Sequence, residues 1–191
     1  MRAVVCDRLG DPSVLKIEER PLPEPGPGEL VVRVGAAGVN FPDVLTVSGS
    51  YQHKPELPFT PGMEGAGAIH ALGAGVTGWR KDDRVIFGVR PGAFAEYVKV
   101  SARSALMRLP DGWSYAEGAG FRVGAQTAYH SLVHRAQLRK GEVLLVHGAS
   151  GGVGLAAVQL GKHLGAHVVA TGSDDARLAV VKAQGADEVV N

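Results

Sequence analysis

The chain has 191 residues, 45% of them hydrophobic and 20% charged, a composition that suits a globular protein with a sizeable core in one or two domains. A formal net charge of +1 without long basic runs leaves no electrostatic footprint for nucleic acid or for an anionic membrane surface. A single cysteine, Cys6, excludes an internal disulfide and a multi-cysteine zinc cluster. With no apolar stretch of bilayer length and no signal-peptide core at the N-terminus, a cytoplasmic location is the expectation.

From Met1 to about Gly120 the texture is β-rich and punctuated by glycine, with Arg2 to Cys6, Val14 to Glu18 and Leu30 to Val34 as strand candidates. The proline run from Pro21 to Gly28 predicts an extended connector, because proline lacks the N–H that a strand ladder needs. Around Asn40-Phe41-Pro42-Asp43 a short helix can begin, since proline is accepted in a first turn. Gly62 to Leu72 reads as a strand approached closely by other backbone at Gly65 and Gly67, and the alternation from Ala93 to Val100 reads as a half-buried strand. Near Ser114 the texture changes. This serine can cap a helix, and a second helix from about Ala125 to Gln137 leads through Leu138-Arg139-Lys140-Gly141 into the central segment.

That segment opens with Val143-Leu144-Leu145-Val146, an unbroken apolar run of the kind found in a central parallel strand buried on both faces. A glycine-rich turn follows, and then Gly152 to Leu164 places Val153, Ala156, Ala157, Leu160 and Leu164 at helical spacing, with Gly165 at the C-terminal cap. His167 to Thr171 is a second strand, so the unit reads strand, crossover helix, parallel strand. In that context Ala149-x-Gly151-x-x-Gly154 has dinucleotide-fingerprint spacing, with alanine at the first position. Missing side chains let the backbone approach a pyrophosphate, and the helix N-terminus offers N–H groups and partial positive charge. Ala149, Ser150, Gly151, Gly152, Val153 and Gly154 are therefore the candidate phosphate-binding residues. A tight turn that binds nothing is the alternative, disfavoured by the strand and helix on either side.

Several separated motifs occur in one order: Gly38-Val39-Asn40-Phe41-Pro42-Asp43, Pro61-Gly62-Met63-Glu64-Gly65-Ala66-Gly67, Asp83-Arg84-Val85, Ala95-Glu96-Tyr97, Thr127-Ala128-Tyr129 and the glycine turn. Together they resemble the medium-chain dehydrogenase/reductase superfamily, in particular its zinc-independent quinone oxidoreductase branch. The resemblance implies an α/β protein with a GroES-like β-rich catalytic domain over 1–123, followed over 124–191 by an incomplete Rossmann domain, a doubly wound parallel sheet. It also implies NADPH-dependent hydride transfer to a quinone or other conjugated carbonyl. An enoyl-thioester reductase of the same superfamily, or a truncated non-catalytic nucleotide-binding or interaction protein, are the alternatives.

In zinc alcohol dehydrogenases of this superfamily the positions matching Asn40 and Met63 hold a cysteine and a histidine ligand, so no metal is expected here. His130 and His134 are spaced to share a helix face, but without a carboxylate partner they read as an ordinary polar face. A plain ketone needs its oxygen polarised by a Lewis acid, whereas quinones and enones are electron-poor already, so positioning can supply much of the catalysis. By resemblance, Asn40 and Thr127 belong to the nicotinamide and acceptor region and Tyr51 to the substrate pocket. Tyr51 could orient a carbonyl or deliver a proton, or simply close a loop. Asp43 and Glu64 also match family positions, where a structural ion-pair role is expected.

The second strand ends at Thr171-Gly172 without the carboxylate that usually grips ribose hydroxyls, and this favours NADPH. Ser173 could donate a hydrogen bond to a 2′-phosphate, and Arg177 or His167 could offer it positive charge. Asp174 competes with that reading by its spacing from Gly154, but with Asp175 it is read as opening the next helix, which runs from about Asp174 to Gln184. Gly185 to Asn191 then reads as a third strand cut off at its start. The chain is accordingly expected to be an incomplete catalytic unit whose Val143 strand leaves an apolar edge. The expected partner is a small-molecule quinone or enone, and the family resemblance suggests a homodimer.

Overall fold

Two short antiparallel strands, β1 (Arg2–Val5) and β2 (Lys16–Glu19), open the chain. The second starts later than the sequence suggests because Pro12–Val14 forms a turn of 3-10 helix, with Asp11 accepting the Ser13 N–H at 2.9 Å. The computed structural model describes residues 1–104 and 106–191. Strand β3 (Glu29–Gly38) runs past its expected end, since β4 (Glu64–Leu72) pairs along nearly its whole length while β6 (Tyr97–Ser101) pairs on its other side. With β5 (Arg84–Gly88) and β7 (Met107–Arg108), the described residues make an antiparallel sheet in the order β6-β3-β4-β5-β7. Leu30, Val32, Ile69, Val85, Phe87, Val98 and Val100 are buried together as its core. Each such side chain contributes about 1.5–3 kcal/mol of hydrophobic stabilisation.

The alternation from Ala93 overstates β6 at its start. Phe94 gives its N–H to the Pro61 carbonyl at 3.0 Å and Glu96 gives its own to Arg2 at 3.0 Å, so this stretch joins β1 to a loop instead of extending the ladder. Helix α1 (Phe41–Val47) begins after Asn40, with Pro42 in its first turn as expected. Helix α2 (Tyr115–Ala119) is capped by Ser114 and Glu117 in a reciprocal capping box. The chain divides into two units, Met1–Arg122 and Val123–Asn191.

The helix expected over 125–137 is divided. An α-helical part, α3 (Arg122–Tyr129), passes into a wider π-helical turn over His130–Arg135, where the Ala136 N–H reaches the Ser131 carbonyl five residues back. Beyond it, β8 (Val143–Val146), α4 (Gly152–His163), β9 (His167–Thr171), α5 (Asp175–Ala183) and β10 (Glu188–Val190) form parallel strands in the order β10-β9-β8 with two helices. Val146, Ala149, Val158, Val168, Ala170 and Val181 are buried in the core of this unit. Among the described residues β8 pairs only with β9, which gives the apolar edge expected at Val143, whereas the expected burial of this strand on both faces is not found. Val143 is 68% exposed and Leu145 53%, while Val146 packs inward. No helix among the described residues is long and apolar enough to cross a membrane.

Candidate functional site

The glycine-rich turn sits at the C-terminal end of β8, where parallel sheets place their ligands. Gly148 turns the chain with φ +60°, a conformation that a side chain would resist. The Ala149 N–H then donates to the Thr171 carbonyl at 3.0 Å, which fastens the turn to the end of β9. A Cβ on Gly154 would lie 2.4 Å from the Gly148 carbonyl oxygen, so the glycine is required for helix and turn to close on one another. Gly152, by contrast, has no atom within 4 Å of where its Cβ would be and opens onto free space. Gly151 caps α4 without a side chain, so the first-turn N–H groups of that helix are left to an incoming anion.

His147 carries no signal in the sequence pattern, yet its Nδ1 lies 2.9 Å from the Thr171 hydroxyl. The register that pairs Val146 with Ala170 brings these next residues opposite one another. Beyond β9, Asp174 caps α5 by accepting the Arg177 N–H at 2.8 Å, and Asp175 accepts the Asn191 amide at 2.7 Å. Neither acid lies in the strand, and each is engaged by its own helix or by β10's neighbour. Ser173 is exposed between the strand and the helix. Arg177 and Ser150 line one open cavity of about 240 Å³, together with Leu155, Val180 and Val181. The structure therefore joins the turn and Arg177 but excludes His167. That residue begins β9, about 13 Å of strand from Thr171, and its Nε2 is 2.8 Å from Glu188.

In the first unit, Asn40 and the two acids form a buried cluster. Asp43 and Glu64 are 4% and 2% exposed. Glu64 accepts the Asn40 amide at 2.9 Å, and Asp43 accepts the Asn40 backbone N–H at 2.8 Å. Burial pushes the Asp43 carboxyl above its ordinary pKa and the Glu64 charge adds to the rise, against the N–H donors of Asn40 and Gly62. Asp43 is thus a helix cap, not the ion-pair partner that the sequence suggests. Tyr51 follows α1, its N–H held by the Leu45 carbonyl at 3.0 Å. Thr127 lies exposed on α3, in the second unit. Arg122 is a further residue that the sequence pattern does not single out: burial depresses its pKa, and it feels the Glu64 charge.

Residues 26–111 match the family described as alcohol dehydrogenase GroES-like domain, and residues 152–191 match the family described as zinc-binding dehydrogenase. The quinone oxidoreductase of Pongo abelii is 39% identical over the whole chain, which covers 58% of that protein. The chain belongs to the medium-chain dehydrogenase/reductase superfamily, in its quinone oxidoreductase branch. Among solved structures of this superfamily, the quinone oxidoreductase of Thermus thermophilus, described with its NADPH complex, superposes with a TM-score of 0.88 at 40% identity, over 99% of this chain and 59% of that one. Mycobacterial Rv1454c complexed with NADPH superposes with a TM-score of 0.93 at 35% identity, over 100% of this chain and 58% of that one. The chain thus spans a little under three-fifths of the length of each of these three proteins.

The name of the second family raises the question of a metal, and the donor set does not fit one. The Asn40 amide is committed as a donor to Glu64, and Met63 offers only a thioether, a poor zinc ligand. Among the described residues, no three histidine, cysteine, aspartate or glutamate side chains converge to hold an ion.

Proposed function

We propose that the protein is an NADPH-dependent oxidoreductase that transfers hydride to a quinone or other conjugated carbonyl without zinc. The observation that carries the reading is the turn at Gly151 to Gly154, where an uncapped helix N-terminus faces the open space beside Gly152. The 39% identity to a quinone oxidoreductase supports it. NADPH, when bound, supplies the hydride. The backbone of Ala149, Ser150, Gly151, Gly152, Val153 and Gly154 would hold the pyrophosphate. Ser173 and Arg177 would hold the 2′-phosphate, with no strand-end carboxylate to oppose it.

Asn40, oriented by its 2.9 Å bond to Glu64, and Thr127 would border the acceptor, while the Tyr51 hydroxyl would orient the carbonyl or return a proton. A homodimer is the assembly that the superfamily suggests. The test is fluorescence titration with NADPH and NADH, followed by NADPH oxidation against a panel of quinones and enones, with elemental analysis of the same samples. Tighter binding of NADPH, acceptor-dependent oxidation and no stoichiometric zinc are the expected results. Tighter binding of NADH, or activity that depends on zinc retained through dialysis, would overturn the reading.

A further inference from the structure

A second cavity lies wholly within the first unit. It has a volume of about 430 Å³, and the described residues that line it include Gly88, Arg90, Lys99, Ser101, Ser104 and Arg122 but no aspartate or glutamate. Lys99 is already paired with Glu29 at 3.1 Å. Among the described residues neither Arg90 nor Arg122 is paired with a carboxylate in this way, though Arg122 feels the Glu64 charge. The Arg122 Nε is buried with no hydrogen-bond partner, a costly state for a charged donor. The Arg122 guanidinium also fills the place a side chain would take at Gly88, where an added Cβ would lie 2.1 Å from Nη1.

Two like charges that border one cavity, one of them partly desolvated, destabilise each other until an anion lies between them. Burial disfavours the charged form of Arg122, the Glu64 charge favours it, and repulsion by Arg90 adds a smaller cost. Serine hydroxyls complete the chemistry. Ser104 gives its hydroxyl proton to the Ser101 carbonyl at 2.7 Å, and the Ser101 oxygen accepts the Arg103 N–H at 3.3 Å, which leaves the Ser101 proton available. The cavity also adjoins the Asn40 cluster, because Gly88 is the register partner of Glu64, which holds the Asn40 amide.

We propose that this cavity is an oxyanion site that receives a carboxylate or phosphate group carried by the acceptor, so that the preferred substrates are acidic conjugated carbonyls. The assignment of the anion to the acceptor rests on the oxidoreductase reading above; the anion site itself does not. Two guanidinium groups suit either planar or tetrahedral oxyanions, since each offers paired donors.

The test is calorimetric titration of the chain with benzoate and, separately, with inorganic phosphate, at low and constant chloride. Arg122→Gln, Arg90→Gln and Arg33→Gln are compared, the last removing an exposed cation on β3 that does not border the cavity. Saturable binding of one ion per chain is expected, weakened about tenfold or more in each of the first two variants, as loss of a charge-assisted hydrogen bond predicts, and unchanged in Arg33→Gln. Binding of benzoate alone assigns a carboxylate, and binding of phosphate alone assigns a phosphate ester. Equal weakening in Arg33→Gln, or no saturable binding of either ion, would overturn the site. Should Arg122→Gln lose cooperative unfolding, the exposed Arg90 variant decides the outcome. NADPH affinity, measured on the same samples, reports separately on the cofactor reading: a chain that binds benzoate but not NADPH keeps the anion site and loses the oxidoreductase.

Discussion

At Gly154 an added Cβ would press on the Gly148 carbonyl at 2.4 Å and the Ala149 Cα at 2.8 Å, whereas at Gly152 it would meet nothing within 4 Å. The two glycines of one turn should therefore respond oppositely to alanine. Gly154→Ala must move backbone, so a lower midpoint of thermal unfolding is expected. Gly152→Ala, in the first turn of α4, exchanges a poor helix former for a good one and should leave stability equal or raised by up to about 1 kcal/mol. It should nevertheless weaken NADPH binding by about tenfold, because the new methyl takes space the pyrophosphate needs. Thermal scans and fluorescence titrations on both variants check this, and unchanged NADPH affinity in Gly152→Ala would count against the cradle. The spacing of these glycines is legible in the sequence because a fingerprint depends on neighbours in the chain. The bond between His147 and Thr171 is not, since it depends on the register of two strands. Arg122 is hidden for the same reason, its surroundings being Gly88 and Glu64, remote in sequence.

Among the secondary-structure elements, two buttressing aspartates have opposite pH signatures. Asp43, at the start of α1, has a raised pKa from burial, so its proton is bound more tightly in the folded state. Its stabilising contribution is complete below the ordinary carboxylate pKa of about 3.9 and is lost as pH rises through the folded value. Asp187, just before β10, has a lowered pKa because it accepts the Lys162 side chain and the Val168 N–H. Its contribution is present above about 3.9 and is lost as pH falls through the folded value. Asp43→Asn should flatten the loss of stability on raising pH out of the acid range, and Asp187→Asn should flatten the loss on acidification. Urea unfolding at closely spaced pH values measures both, and parallel wild-type and variant profiles would refute the assignments. Elements with local signals are readable from sequence, such as α2 from Ser114 and Glu117 or α5 from Asp174. Strand β5 is not, because its buried apolar run Val85-Ile86-Phe87 is too short to read as a strand by itself, nor is β7, because two residues carry no period. The π-helical turn after α3 contains no proline or glycine and has no side-chain cap, so nothing local announces it.

For the molecule as a whole, the order of β-rich and parallel-sheet regions and the apolar edge at Val143 are legible from motif order, but the exposure of one face of β8 is not. An apolar run reports what a strand is made of; it does not report whether both of its faces are covered. Among the described residues, β8 pairs only with β9, and Val143 and Leu145, two apart and hence on one face, stand 68% and 53% exposed. An apolar edge strand offers both unpaired backbone groups and a surface that water disfavours. The chain should consequently associate as its concentration rises, and Leu145→Lys should weaken that association by placing a charge on the exposed face without touching the inward-packed Val146. Sedimentation velocity over a wide concentration range is the measurement, with thermal unfolding to show that the variant keeps its fold. If wild type remains monomeric throughout, or if Leu145→Lys associates as strongly as wild type, the β8 edge is not what draws the chains together.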